Sequence, residues 1–274
     1  ETTQGGYSDE QKLEQLLGSV CRTCGYDEII TYSFISPTYY DKIRWAADDP
    51  CRKSFKILNP LGEDTSIMRT IALPSMLEIL SRNNAYHNKS VKLYELAKIY
   101  LPRENDLPEE PKMLVLGTYG AGETFFTLKG ELEAILKGLR MPKASYTAVK
   151  DNPSFHPGRC ARITAPDGTV LGVIGEIHPT VSADYGIDCP VYIADLDFEN
   201  LFENCEQLTT IEGSIFPTSS NVSSLAYAFH NCTSLKSVPA GLFDPLAESK
   251  TKFTATFARC SALEELPAGL FALN

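Results

Sequence analysis

Three stretches near the end of the chain, "FENCEQLTTIEGSIF", "FHNCTSLKSVPAGLF" and "FARCSALEELPAGLF", align without a gap. Their leading phenylalanines are Phe202, Phe229 and Phe257, at steps of 27 and 28 residues. Cys205, Cys232 and Cys260 keep the same steps, as do Leu208, Leu235 and Leu263 and the closing Phe216, Phe243 and Phe271. A period in the high twenties with fixed apolar positions constrains a chain strongly. One repeat cannot bury its own apolar face, so successive copies must stack into a solenoid. The expectation is a short strand from each L-x-x-[IV/L], with the Phe, Cys and Leu positions forming a continuous core. A thiol there acts as a small apolar filler.

Upstream the grammar differs. Leu13, Leu16, Leu17 and Val20 form one apolar stripe, which predicts a helix over 8–24, capped by Ser8 and stopped by Gly25. "EIITYSF" reads as a strand by its β-branched and aromatic content. "SFKILNPLGEDTSIMRT" reads as a strand, a turn at Asn59-Pro60 and a polar loop. A helix with proline near its start is predicted over "ALPSMLEILSRNNAYH", and strands over "VKLYELAKIYL" and "MLVLGTYG". "TLKGELEAILKGL" is a third helix, with Leu132, Ile135, Leu136 and Leu139 on one side. "CARITAPDGTVLGVIGEI" is a hairpin turning at Asp167-Gly168, and "PVYIADLDF" is a last strand. Irregular alternation with a hairpin predicts an α+β unit, an antiparallel sheet with helices on one side. The domains are therefore 1–203 and 204–274, with the seam over 200–206.

Composition excludes several functions. A net charge of −10 and a pI near 5.0 give no bulk attraction for nucleic acid phosphate. No apolar run approaches the length of a membrane span, so no membrane partner is expected. Cys21 and Cys24 make one CxxC, but no second pair completes a zinc site. They are expected to be structural thiols, and no metal ligands are assigned. Neither GxGxxG nor GxxxxGK[ST] is present, and no Ser-His-Asp order or HExxH stands out.

Six residues could carry chemistry. Arg69 follows a strand, and Lys129 lies at a helix start. His156 and Arg159 flank a Pro-Gly turn in "FHPGR" and could hold a phosphate or carboxylate; otherwise Arg159 pairs with an acid. Glu176 and His178 in "GEIHP" are one strand register apart, which suits a general acid–base pair or a buried hydrogen bond.

Seven segments, "GYDEIITYSF", "NPLGEDTSIMRT…LPSMLEIL", "VKLYELAKIY", "FFTLKGELEAIL", "FHPGRCARI", "GVIGEIHPTV" and "VYIADLDFENL", together resemble the bacterial phenylalanyl-tRNA synthetase beta subunit family, in that family's order. The resemblance spans nearly all of 15–203 and implies the catalytic-like module of that subunit, with a class II synthetase fold, an antiparallel sheet flanked by helices. It implies that catalysis belongs to the alpha subunit, in a heterotetramer of two alpha and two beta chains. ATP and magnesium are then expected for the whole enzyme and no cofactor for this chain; tRNA is reached only through the whole enzyme, in the cytoplasm. Arg69 stands where a class II site keeps one ATP-binding arginine. The second arginine is missing: "DLDFE" offers three acids instead, which would repel a triphosphate. The family's "MRTSLLP" is here "MRTIALP", with Ile71 in place of a polar residue. No catalytic residue is expected, and Arg69, Lys129, His156, Arg159, Glu176 and His178 become structural or subunit-interface candidates. "NCTSLKSVPAGLF" resembles BspA-like leucine-rich repeats of bacterial surface proteins, which implies a fusion of two unlike parts. That gives an alternative reading, a module binding an unknown protein or glycan.

Overall fold

The computed structural model describes residues 6–7, 9–103, 107–139, 141, 143–166, 168–198, 235–240, 242–243, 256–258, 260–268 and 270–271. It divides the chain into two compact units, Glu1–Leu201 and Phe202–Asn274. In the first, chain order is α1 (Asp9–Thr23), β1 (Asp27–Glu28), β2 (Phe34–Ile35), α2 (Tyr39–Lys42), β3 (Ile67–Met68), α3 (Leu73–Ala85), β4 (Ser90–Lys98), β5 (Lys112–Gly120), α4 (Phe125–Gly138), β6 (Ser145–Ala148), β7 (Phe155–Thr164), β8 (Val170–Ile177), α5 (Pro179–Asp184) and β9 (Tyr192–Asp197).

α1 ends as its glycine requires. Tyr26 N donates to Cys21 O at 3.1 Å and Gly25 N to Arg22 O at 3.0 Å, with Gly25 at φ +86°. This is the paired closure of a Schellman motif, and a side chain at Gly25 would be strained. Ser8, the expected cap, lies outside the described residues. α4 starts two residues before the expected helix because Thr124 Oγ1 accepts from Thr127 N at 3.1 Å. The hairpin of β7 and β8 closes with Gly168 at φ +94° and its N–H on Ala165 O at 3.0 Å; Asp167 lies outside the described residues.

Seven strands form one sheet in the order β1-β4-β5-β9-β8-β7-β6. β1 runs parallel to β4 and every other neighbouring pair is antiparallel. The sheet is therefore mixed, which corrects the purely antiparallel expectation. The cause lies in "EIITYSF", which is not one strand. After β1, Ile29 N still reaches Tyr94 O at 2.9 Å, but Thr31 N turns to the Glu95 carboxylate at 3.1 Å. The ladder stops there, and Phe34–Ile35 pairs instead with Ile67–Met68 in a small second sheet. "FHPGR" falls within β7 but bulges out of its ladder: Phe155 pairs with Ile177 and Cys160 with Gly175, so the stretch between them keeps the local turn expected of it, with His156 Nδ1 accepting from Gly158 N. The short β6 and α5 carried too few periodic residues to be expected from the sequence.

Helices cover both faces of the sheet, where one was expected. A Cβ built on Gly117 would lie 2.7 Å from Met76 Sδ of α3, and one on Gly18 of α1 would lie 2.9 Å from Tyr94 Oη. Gly117 is in register with Leu93, whose side chain points opposite to that of Tyr94. α1 and α4 pack together on the Tyr94 side, where a Cβ on Gly138 would sit 2.7 Å from Val20 Cγ1. Leu73, Met76, Leu77 and Leu80 of α3 are buried on the other face, and Leu128, Leu132, Ile135 and Leu136 of α4 are buried on theirs. Neither face is left to water: β5 and β9 bury successive residues, and so both of their sides.

In the second unit, Leu235, Val238, Leu242, Phe243, Cys260 and Leu270 are buried. The two "PAGL" copies close the same turn: Leu242 N donates to Pro239 O at 3.3 Å and Leu270 N to Pro267 O at 3.1 Å. The rings of Phe243, Phe257 and Phe271 cluster at 5.7 to 6.3 Å between centroids. Leu263 is half-buried, and neither Leu235 nor Leu263 lies in a strand among the described residues. Phe202, Cys205, Leu208, Phe229 and Cys232 lie outside them.

Candidate functional site

The centre of the first unit is Arg69, between β3 and α3. It is 1% exposed, and its guanidinium is committed on every side. Nε donates to Lys98 O at 2.8 Å, Nη1 to Thr31 Oγ1 at 2.6 Å and Nη2 to Glu95 Oε1 at 3.2 Å. Its backbone N donates to Ser33 O, and its carbonyl accepts from Tyr100 N, both at 2.9 Å. One side chain thus ties the segment 31–33, β4 and the stretch after β4 to the start of α3. Glu95 also accepts from Thr31 N and Thr31 Oγ1, so the buried charge pair has its hydrogen bonds supplied. A guanidinium this deeply buried and held by three hydrogen bonds is not presented to a triphosphate.

Beside it in the same row of the sheet stands Asp195. Glu95 is in register with Val115, and Val115 with Asp195, so all three side chains share the α3 face. Burial pushes the Asp195 carboxyl up to about 7, against the attraction of Arg69 and with the help of Asp197. Glu95 was not among the residues singled out from the sequence, and Asp195 was read only as one of the three acids of "DLDFE". The readable signal was an acid at an inward position of an apolar strand, "LYELA" and "IADLD".

The other candidates do not converge on Arg69. Arg159 makes a two-pronged contact with Glu176, 2.8 Å to Oε1 and 2.7 Å to Oε2, so the acid-paired reading of Arg159 holds. Glu176 therefore faces Arg159 and not His178. His178 lies beyond the end of β8 and caps α5, its Nδ1 accepting from Thr180 N at 3.2 Å. That corrects the shared strand register expected for the two. His156 uses the same device, Nδ1 accepting from Gly158 N at 3.0 Å. Burial, Arg44 and His156 all lower the His178 pKa, so this ring is poorly placed to store a proton. Lys129 pairs with Glu133 one helical turn on, at 2.6 Å, and its Nζ sits 4.4 Å from the Tyr146 ring centroid. Cys21 is fully buried and burial pushes its thiol up to about 12, as befits a packing residue.

A second surface feature was also missed. From Ile29 to Ile35 the chain alternates, with even-numbered side chains outward. Ile30 is 92% exposed and Tyr32 82%, followed by the partly exposed Phe34. The loop beside the small sheet adds Leu58 at 96% and Leu61 at 99%. Inside, the same stretch is pinned by Thr31 and Ser33 to Arg69 and Glu95. The stretch thus turns apolar side chains outward while its inner side is held by hydrogen bonds and an ion pair. No helix among the described residues is long and apolar enough to cross a membrane, and no group of three metal-ligating side chains is found among them.

Comparison with known proteins agrees with this geometry. The profile of the phenylalanyl tRNA synthetase beta chain CLM domain matches residues 1–198. The phenylalanine–tRNA ligase beta subunit of Clostridium acetobutylicum is 41% identical over 201 residues, which is 73% of this chain and 25% of that protein. That of Syntrophotalea carbinolica is 39% identical over 197 residues, 68% of this chain and 24% of the relative. The chain thus spans about a quarter of the length of the curated relatives it matches. A solved structure of Desulfitobacterium hafniense PylSc, a pyrrolysyl tRNA synthetase, superposes with a TM-score of 0.57 at 14% identity, covering 71% of this chain and 68% of that one, a likeness of fold alone. Through its CLM domain, the chain belongs to the phenylalanyl-tRNA synthetase beta chain family.

Proposed function

We propose that the first unit is a non-catalytic structural module of a phenylalanine–tRNA ligase, supporting the alpha chain that attaches phenylalanine to its tRNA. The observation that carries this reading is Arg69, the cation that the family resemblance would assign to nucleotide binding, buried and held by Glu95, Thr31 and Lys98 O. The ridge of Ile30, Tyr32, Phe34, Leu58 and Leu61 is the surface offered to the alpha chain, in an assembly of two alpha and two beta chains. ATP and magnesium act in the alpha site, and tRNA meets this chain only within the whole enzyme. The test is phenylalanine-dependent ATP–pyrophosphate exchange. The expected result is no exchange by this chain alone and exchange once an alpha chain is added to a complete beta chain. Turnover by the isolated chain overturns the reading.

The division at 203/204, with leucine-rich repeats after it, belongs to the same proposal. The recurring Pro239–Leu242 and Pro267–Leu270 turns and the clustered Phe243, Phe257 and Phe271 support it. Limited proteolysis that leaves a stable fragment ending near residue 200 is the expected outcome.

A further inference from the structure

The α3 face of the sheet holds two buried carboxyls and one buried guanidinium. Arg69 donates from each of its three guanidinium nitrogens, to Lys98 O, Thr31 Oγ1 and Glu95. Asp195 is left with Oδ1 buried and without a hydrogen-bond partner among the described residues. Its neighbours in the row are Val115 on one side and Val173 on the other, with Arg162 beyond Val173. The charged groups that act on it are Arg69 and Asp197, while the buried side chains of α3 are uncharged. An ionised carboxylate with a free oxygen in such a place is disfavoured by desolvation, and one guanidinium cannot neutralise two acids.

We propose that Asp195 carries a proton in the folded chain and acts as a pH-sensitive latch on the docking ridge. With the proton on, Arg69 belongs to Glu95 and Thr31 and holds the segment 29–35 in place. With the proton off, two carboxylates compete for one guanidinium, and the anchor behind Ile30, Tyr32 and Phe34 slackens. The inference rests on the reading of that ridge as the alpha-chain surface. The raised pKa of about 7 places the change in the neutral range. A carboxyl whose folded pKa lies above its unfolded one contributes stability that is complete below the unfolded value. That stability is lost as the pH rises through the folded value. The latch is therefore closed on the acid side and open on the alkaline side.

The experiment measures the affinity of the full chain for a phenylalanine–tRNA ligase alpha chain, comparing the natural sequence with Asp195→Asn. The expected result is a loss of about tenfold between about pH 6 and about pH 8.5 for the natural chain, and less than about twofold for Asp195→Asn. Equal pH profiles for the two chains overturn the latch and leave the docking reading intact. Absence of binding at either pH overturns the docking reading instead. The latch is then decided on the chain alone by infrared spectroscopy. A protonated-carboxyl stretch near neutral pH that fades in alkali supports it, and its absence from the natural chain overturns it, whether or not Asp195→Asn folds.

Discussion

Two of the arginine–glutamate pairs in the first unit, Arg69–Glu95 and Arg159–Glu176, do different jobs. Arg69 and Glu95 are both buried, the side chains 2% and 4% exposed, whereas Arg159 is 55% exposed above a buried Glu176. The contact geometry is, if anything, better for Arg159, which grips both carboxylate oxygens. Yet Arg69 is the one that joins four separate stretches of chain. The comparison teaches that the weight of an ion pair follows its desolvation and connectivity, not its shortest distance.

The comparison is sharpened most by Arg69→Ala. It strands Glu95 in the interior and removes three hydrogen bonds, so a loss of about 3 to 5 kcal/mol is expected in denaturant unfolding. Arg69→Met with Glu95→Leu removes both charges together and should recover most of that loss, because a well-packed apolar pair is often neutral or stabilising relative to a buried ion pair. A double variant as unstable as Arg69→Ala would mean that the hydrogen bonds to Thr31 and Lys98 O, and not the charges, carry the anchor. Arg159→Ala should cost clearly less than Arg69→Ala. Its effect should shrink in high salt, while that of Arg69→Ala stays constant, since half-exposed charges are screened and buried ones are not. Lys129→Ala is expected to be smallest, about 0.5 kcal/mol in thermal or denaturant unfolding, because its partner Glu133 lies on an accessible helix surface. A cost for Lys129→Ala near that of Arg69→Ala would break the rule that burial ranks these contacts.

Much of the first unit was readable before any coordinates. α3 begins one residue after its expected start and stops two residues short at the end, and β4 and β5 each begin one residue early. These elements announce themselves through neighbours three, four or two residues apart, which share one face of a helix or strand. The failures have one cause. "EIITYSF" has the composition of a strand, but its ladder ends where Thr31 meets Glu95, 64 residues away. "FHPGR" looks like a turn and does leave the ladder, but the pairs Phe155 with Ile177 and Cys160 with Gly175 fix it as a bulge inside β7, which no local spacing announces. The candidate site was half-legible. Arg69 stands out by its place in the motif and Asp195 as one of the acids of "DLDFE", while Glu95 reads as an ordinary strand residue and only the strand order puts Glu95 and Asp195 in one row.

The sequence by itself determined which long stretches are helical, where α1 must stop, that the last quarter repeats, and which family the first two hundred residues belong to. Those are properties of local spacing and of residue type, and they survive without knowledge of what touches what. Only the tertiary structure decided that the last strand lies at the middle of the sheet, that helices cover both faces, and that one guanidinium faces two carboxyls. Strand order and register bring together residues up to a hundred positions apart, and the free energy of a buried charge depends on those partners and not on its neighbours along the chain.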